Sequence, residues 1–264
     1  MARCFNYVVF ICALWTALTA GAEPVLVRHV QGFIHGFLVV KDLNDTLLGS
    51  GELTQVASGN RVTATLSLHL KDGSLYQETS VYSQQQVYKL LNYKQVLKGP
   101  AFKTPQTLTI DANGSVSVVA MEQDGKEKTI NKQIALPRDL ANGIVTMLLI
   151  DVDPKVETTL SMLVATPEPR VVKLKIAAAG ADPFSIGGSP NKATHYVMKI
   201  DLGAITGTVA KVVGKQPPPT EIWMATGNAP IFLKSEGQMF QDGPIWRIEI
   251  ASPLWPSTRA GNKP

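Results

Sequence analysis

The sequence predicts a mainly β protein: an antiparallel meander forming a curved sheet or partly open barrel, with one short helix. A β-sandwich is the alternative. Three observations lead there. Beyond residue 23 apolar residues recur with a period of two, the pattern of strands with one buried face. Asp-Gly and Asn-Gly steps separate several of these runs, and such steps tolerate the positive φ that a tight hairpin demands. The intervening positions are mostly polar, whereas parallel strands covered on both faces read as continuous apolar runs.

Residues 1–22 read as an export signal. Arg3 is followed by an uncharged apolar run over 7–18, and Ala20-Gly-Ala22 suits a signal peptidase cleft, so that the mature chain begins at Glu23. The apolar run is shorter than the roughly 20 residues a membrane helix needs, and no transmembrane segment is expected in the mature chain. Both cysteines, Cys4 and Cys12, fall inside this segment, so the mature chain has no disulfide and no Cys-ligated metal. A single β-rich domain over 23–252 follows, then a Pro- and Gly-containing tail over 253–264 that reads as disordered. The expected location is the periplasm or the outside of the cell.

The strands justify themselves in order. Val62, Ala64, Leu66, Leu68 and Leu70 alternate with Thr63, Thr65, Ser67 and His69. A turn at Lys71-Asp-Gly-Ser74 sends 75–83 back antiparallel. Strands at 107–111 and 115–121 flank Ala112-Asn-Gly114, and Asp124-Gly125 leads into 126–135. Gly49-Ser-Gly51 reads as a turn or bulge. In the second half, runs centred on Leu174 and Met198, then 206–213, 221–226, 230–235 and 244–250, bring the expectation to about a dozen strands. One segment breaks the period: after Leu136-Pro-Arg-Asp139, residues Leu140, Ile144, Met147 and Leu148 share one helical face, predicting a helix over 140–150 that caps or plugs the sheet.

Composition removes several functions. Lys+Arg number 25 against 21 Asp+Glu, an excess of 4 that is too small for a nucleic-acid-binding face. The chain has neither a phosphate loop nor a dinucleotide fingerprint, and Gly187-Gly-Ser-Pro190 lacks the helix of a nucleophile elbow. The four histidines, His29, His35, His69 and His195, have no local partner signature; His69 and His195 occupy polar strand positions and read as solvated. Asp42 with Asp45, and Asp151 with Asp153, are close carboxylate pairs that suit turns or helix ends better than Ca²⁺. No catalytic residue, metal ligand or cofactor is assigned.

The carboxy-terminal stretch is the richest. Trp223, Phe232, Phe240, Trp246 and Trp255 cluster there, and an indole favours half-wet pockets because its N–H seeks a partner. They read either as a plug closing the last hairpins or as an apolar ligand slot rimmed by Lys234, Arg247 or Glu249. The candidate ligand-binding set is Trp223, Phe232 and Trp246 with Leu140, Ile144 and Met147 of the helix. On a regular strand Trp246 and Arg247 face opposite ways, so one is inside and the other is not.

Leu136-Pro-Arg-Asp-Leu-Ala-Asn-Gly-Ile144, the meander after it, Gly227-Asn-Ala-Pro230 and Asp242-Gly-Pro-Ile-Trp-Arg247 resemble uncharacterised exported bacterial β proteins catalogued as domains of unknown function. The resemblance spans most of 23–252. By architecture alone the layout is also similar to periplasmic lipoprotein carriers, in which a curved sheet and a helical lid enclose lipid tails; no functional residue carries over. The expected function is therefore non-enzymatic: binding of an apolar small molecule or lipid between the sheet and the helix. The alternatives are a structural or protein-interaction component of the cell envelope, with a partner at an edge strand, and less favoured, a hydrolase assembled from distant strands.

Overall fold

The computed structural model describes residues 23–122, 124–165, 168–186, 189–201, 217–225, 227 and 230–251. The expected signal at 1–22, the strand at 206–213, the tail at 253–264, Gly187-Gly188 and Trp255 lie outside them.

The described chain is nearly all antiparallel strand. The first eight strands are β1 (Ile34–Lys41), β2 (Leu47–Ser58), β3 (Arg61–Leu70), β4 (Leu75–Gln85), β5 (Val87–Lys98), β6 (Gln106–Asp111), β7 (Ser115–Met121) and β8 (Glu127–Gln133). A short helix, α1 (Val145–Leu148), precedes β9 (Thr158–Val164), β10 (Arg170–Ile186), β11 (Ser189–Asp201), β12 (Thr220–Ala225), β13 (Ile231–Gln238) and β14 (Ile245–Ala251). They form one curved, unclosed sheet in the order β8-β7-β6-β5-β4-β3-β2-β1-β14-β13-β12-β11-β10-β9, which excludes the sandwich alternative. Two meanders, β1–β8 and β9–β14, thus meet side by side where β1 pairs with β14, from Phe37↔Ala251 to Lys41↔Arg247.

The hairpins expected from alternation are present: β3 with β4, β6 with β7, and β7 with β8. Gly49-Ser-Gly51 is not a turn but lies near the start of β2, directly after the register shift at which Lys41 pairs with Leu47 and Val40 with Gly49. A Cβ at Gly51 would lie 2.2 Å from the Ser67 carbonyl oxygen and 2.7 Å from a Leu68 methyl, so these positions let β3 pack directly on the β2 backbone.

The helix is shorter than the expected 140–150. Gly143 sits at φ +67, which a right-handed helix does not accommodate. Residues 139–142 instead run beside the edge strand β9. Leu140 bridges Ser161 in parallel, Ala141 N–H donates to the Ser161 carbonyl, and Ser161 N–H donates to the Asp139 carbonyl. The Asn142 carboxamide then imitates a strand residue: its Oδ1 accepts from Leu163 N–H at 2.8 Å and its Nδ2 donates to Leu163 O at 2.8 Å. Edge N–H and C=O groups that would otherwise be buried unpaired are satisfied in this way. Leu140, Ile144, Met147, Leu148, Leu149 and Val152 are all buried against the strands, so residues 139–152 form a plug inside the curve of the sheet.

Candidate functional site: a cavity between sheet and plug

Between the plug and the inner face of the sheet lies a cavity of about 810 Å³. Its walls are largely aliphatic and aromatic, with Leu38, Leu53, Leu66, Leu108, Met198 and Phe232 contributed by separate strands. The plug supplies Ala141, Asn142, Gly143, Val145 and Thr146.

Polar residues interrupt the wall, among them Gln95, Gln106 and Gln238, and the one with a hydrogen-bonded cluster around its carboxylate is Glu78. Period two along β4 turns Tyr76, Glu78, Ser80, Tyr82 and Gln84 toward the same side, and Glu78 pairs across the ladder with Gln95 of β5. Three donors converge on Glu78 Oε1: the Tyr76 hydroxyl at 2.7 Å, the Tyr93 hydroxyl at 2.5 Å and the Gln95 amide at 3.3 Å. The Gln95 amide also donates to the Tyr76 hydroxyl at 3.2 Å. Burial, reinforced by the neighbouring Glu78 charge, holds both phenols well above their ordinary pKa, so they remain donors at neutral pH.

The two ends of the sheet interior differ in chemistry. At the end formed by the last residues of β1, β3 and β5, Phe102, Phe240 and Trp246 pack edge to face, with ring centroids 4.9, 5.5 and 6.3 Å apart. At the other end the chain before β1 is stitched down by hydrogen bonds. The Asp151 carboxylate, fully buried at the end of the plug, accepts from Arg28 N–H at 3.0 Å, His29 N–H at 3.1 Å and the Tyr88 hydroxyl at 2.7 Å. His29 Nδ1 lies 2.6 Å from the same carboxylate. Gln31 and Gln84 exchange two bonds, and the Tyr82 hydroxyl donates to Gln55 Oε1 at 3.0 Å.

The structure separates the six candidate ligand-binding residues. Phe232 lines the cavity. Met147, again with Phe232, lines a smaller pocket of about 410 Å³ beside His29 and Ile34. Leu140 and Ile144 are buried in the core between plug and sheet, and Trp246 belongs to the aromatic end. Trp223 lies on the outer face, opposite Ile222 and its inward neighbours. There it stacks on His195 at 4.4 Å and 7°, donates its indole N–H to Asp182 at 2.6 Å, and carries the Lys234 ammonium 3.8 Å above its ring.

His195 is correspondingly not solvated. It is 18% exposed, with Nδ1 3.6 Å from Asp182 and Nε2 3.2 Å from Glu221, off line for a hydrogen bond. The residues expected at a rim are also outside: Arg247 bonds Glu236 and Asp45, and Lys41 pairs with Glu249. Trp246 in and Arg247 out is the split that strand alternation requires. His35 pairs with Glu52 on the surface, while Asp42 accepts from Asn44 and Thr46 to hold the β1–β2 turn.

Sequence reasoning missed Tyr76, Glu78, Tyr93 and Gln95. A Glu in phase with the buried positions of β4 was the available signal.

Among the described residues no helix is long and apolar enough to cross a membrane. No protein-family model and no curated protein matches the sequence. Among solved structures, the chain is similar to a beta-barrel-like protein of domain of unknown function DUF1849 from Brucella abortus. The TM-score is 0.45 at 9% identity, covering 86% of this chain and 100% of that one.

Proposed function

We propose that the protein is an exported, non-enzymatic binding protein that holds an apolar small molecule or lipid between its sheet and its plug. The observation that carries this reading is the cavity itself: about 810 Å³, walled mainly by apolar side chains from both meanders. Small-molecule sites typically span roughly 300–1,000 Å³ with a few placed polar groups in an apolar lining. Export rests on the signal pattern of residues 1–22.

Native mass spectrometry of residues 23–264, purified from a lipid-containing host, tests the proposal. The expected result is an added mass that disappears on denaturation. A bare protein that also fails to take up the neutral apolar dye N-phenylnaphthylamine would overturn it.

A further inference from the structure

The cavity's polar group bears on which molecule would bind. An ionised carboxylate has two oxygens and about four acceptor positions. Glu78 Oε1 is engaged by Tyr76, Tyr93 and Gln95, all from the same wall. Oε2 accepts no hydrogen bond from any described residue, and it is not among the side-chain atoms sealed from solvent. Glu78 lines the cavity, and its Oε2 is the carboxylate oxygen left open to a ligand there. The three donors fix the orientation of the carboxylate through one oxygen and leave the other as an acceptor in largely apolar surroundings. The other charged residues lining the cavity are Arg170, at the start of β10, and Asp242, in the β13–β14 turn. Glu78 projects from the middle of β4.

An acceptor placed in this way favours a ligand whose polar end brings N–H or O–H, since a charge-assisted bond in low dielectric is strong and an unmatched acceptor is costly. A ligand headed by a carboxylate would set like charges together. Building on the binding reading above, we propose that the occupant is an amphiphile with a hydrogen-bond-donating head, an ammonium above all, received by Glu78 Oε2 while its apolar part lies along the aliphatic wall.

The test compares dodecylammonium with laurate by titration calorimetry at neutral pH, below micelle-forming concentrations, with N-phenylnaphthylamine as a probe of the cavity that carries no charge. In the wild-type chain dodecylammonium should bind about tenfold more tightly than laurate or better. Glu78→Gln should bring the two within about threefold while dye binding persists, because the carboxamide keeps the shape and loses the charge. Tyr93→Phe removes one donor to Oε1 and keeps the carboxylate, so the ammonium preference should survive. Laurate bound as tightly as dodecylammonium, a preference that outlives Glu78→Gln, or one lost in folded Tyr93→Phe would overturn the inference. If Glu78→Gln fails to fold, the wild-type ratio and Tyr93→Phe still decide it. Failure of the dye and both amphiphiles to bind would instead remove the binding reading beneath it.

Discussion

The two ends of the sheet interior are held by opposite means. Phe102, Phe240 and Trp246 hold one with packed rings, and no polar side chain takes part in their edge-to-face contacts. Asp151, Tyr88, Tyr82 and three glutamines hold the other with buried hydrogen bonds. Packing by shape is non-directional and tolerates replacements of similar volume. A buried hydrogen-bond network tolerates little, because each partner removed leaves another unsatisfied. The aromatic end should therefore answer to volume and the polar end to chemistry.

Substitutions break or sharpen this contrast. Trp246→Ala should cost most, about 3–5 kcal/mol by urea unfolding, while Trp246→Phe at the same site should cost roughly half that or less. Asp151→Ala should cost about 3 kcal/mol by leaving the Arg28 and His29 amides and the Tyr88 hydroxyl without their acceptor. Asp151→Asn hardly alters shape yet should still cost about 1–2 kcal/mol; if it were silent while Trp246→Phe were not, the contrast would be reversed.

Gly143→Ala tests the plug between the ends. Its Cβ would fall 2.1 Å from Ser80 Oγ and 2.8 Å from the Tyr93 ring at a positive φ, so a loss of about 2 kcal/mol is expected in thermal or urea denaturation.

The outer face should matter least. Burial would raise the Glu236 carboxyl, but bonds from Arg247 and Lys234 and their charges outweigh it and hold the group below its ordinary 4.5. A lowered folded-state pKa stabilises above the unfolded value and is lost as pH falls through the folded one. The wild type should thus lose up to about 1 kcal/mol more than Glu236→Gln when acidified from neutrality to below about pH 4, read from unfolding curves at each pH.

Sequence pattern reached the fold where a strand keeps its period unbroken. The expected strand at 115–121 matches β7 residue for residue, and the turn at 71–74 sits between β3 and β4. It failed where tertiary contact bends the rule. In β5 the register shifts opposite Val81/Tyr82, which places Leu90 and Leu91 side by side and hides the alternation. In β9 the plug covers part of the strand, so Leu160, Ser161 and Leu163 are all buried. The Trp223 indole did find the polar partner its chemistry calls for, but Asp182 offers it on the outer face, a choice that only strand pairing makes. The Glu78 cluster was equally hidden, since its two pairs, Tyr76 with Glu78 and Tyr93 with Gln95, meet only through the Glu78↔Gln95 register.

The junction of the two meanders sets an order of events. Within each meander neighbouring strands follow one another along the chain, so a polypeptide made from its amino end can zip up most of the sheet as it emerges. The exception is the β1–β14 seam, whose partners lie more than 200 positions apart: Lys41 waits for Arg247. Until then one border of β1 offers Phe37–Lys41 as an unpaired template, available to a neighbouring copy as readily as to β14. The last described strand is therefore the rivet that joins the halves, and whatever shields that border during synthesis decides how much of the chain matures instead of aggregating.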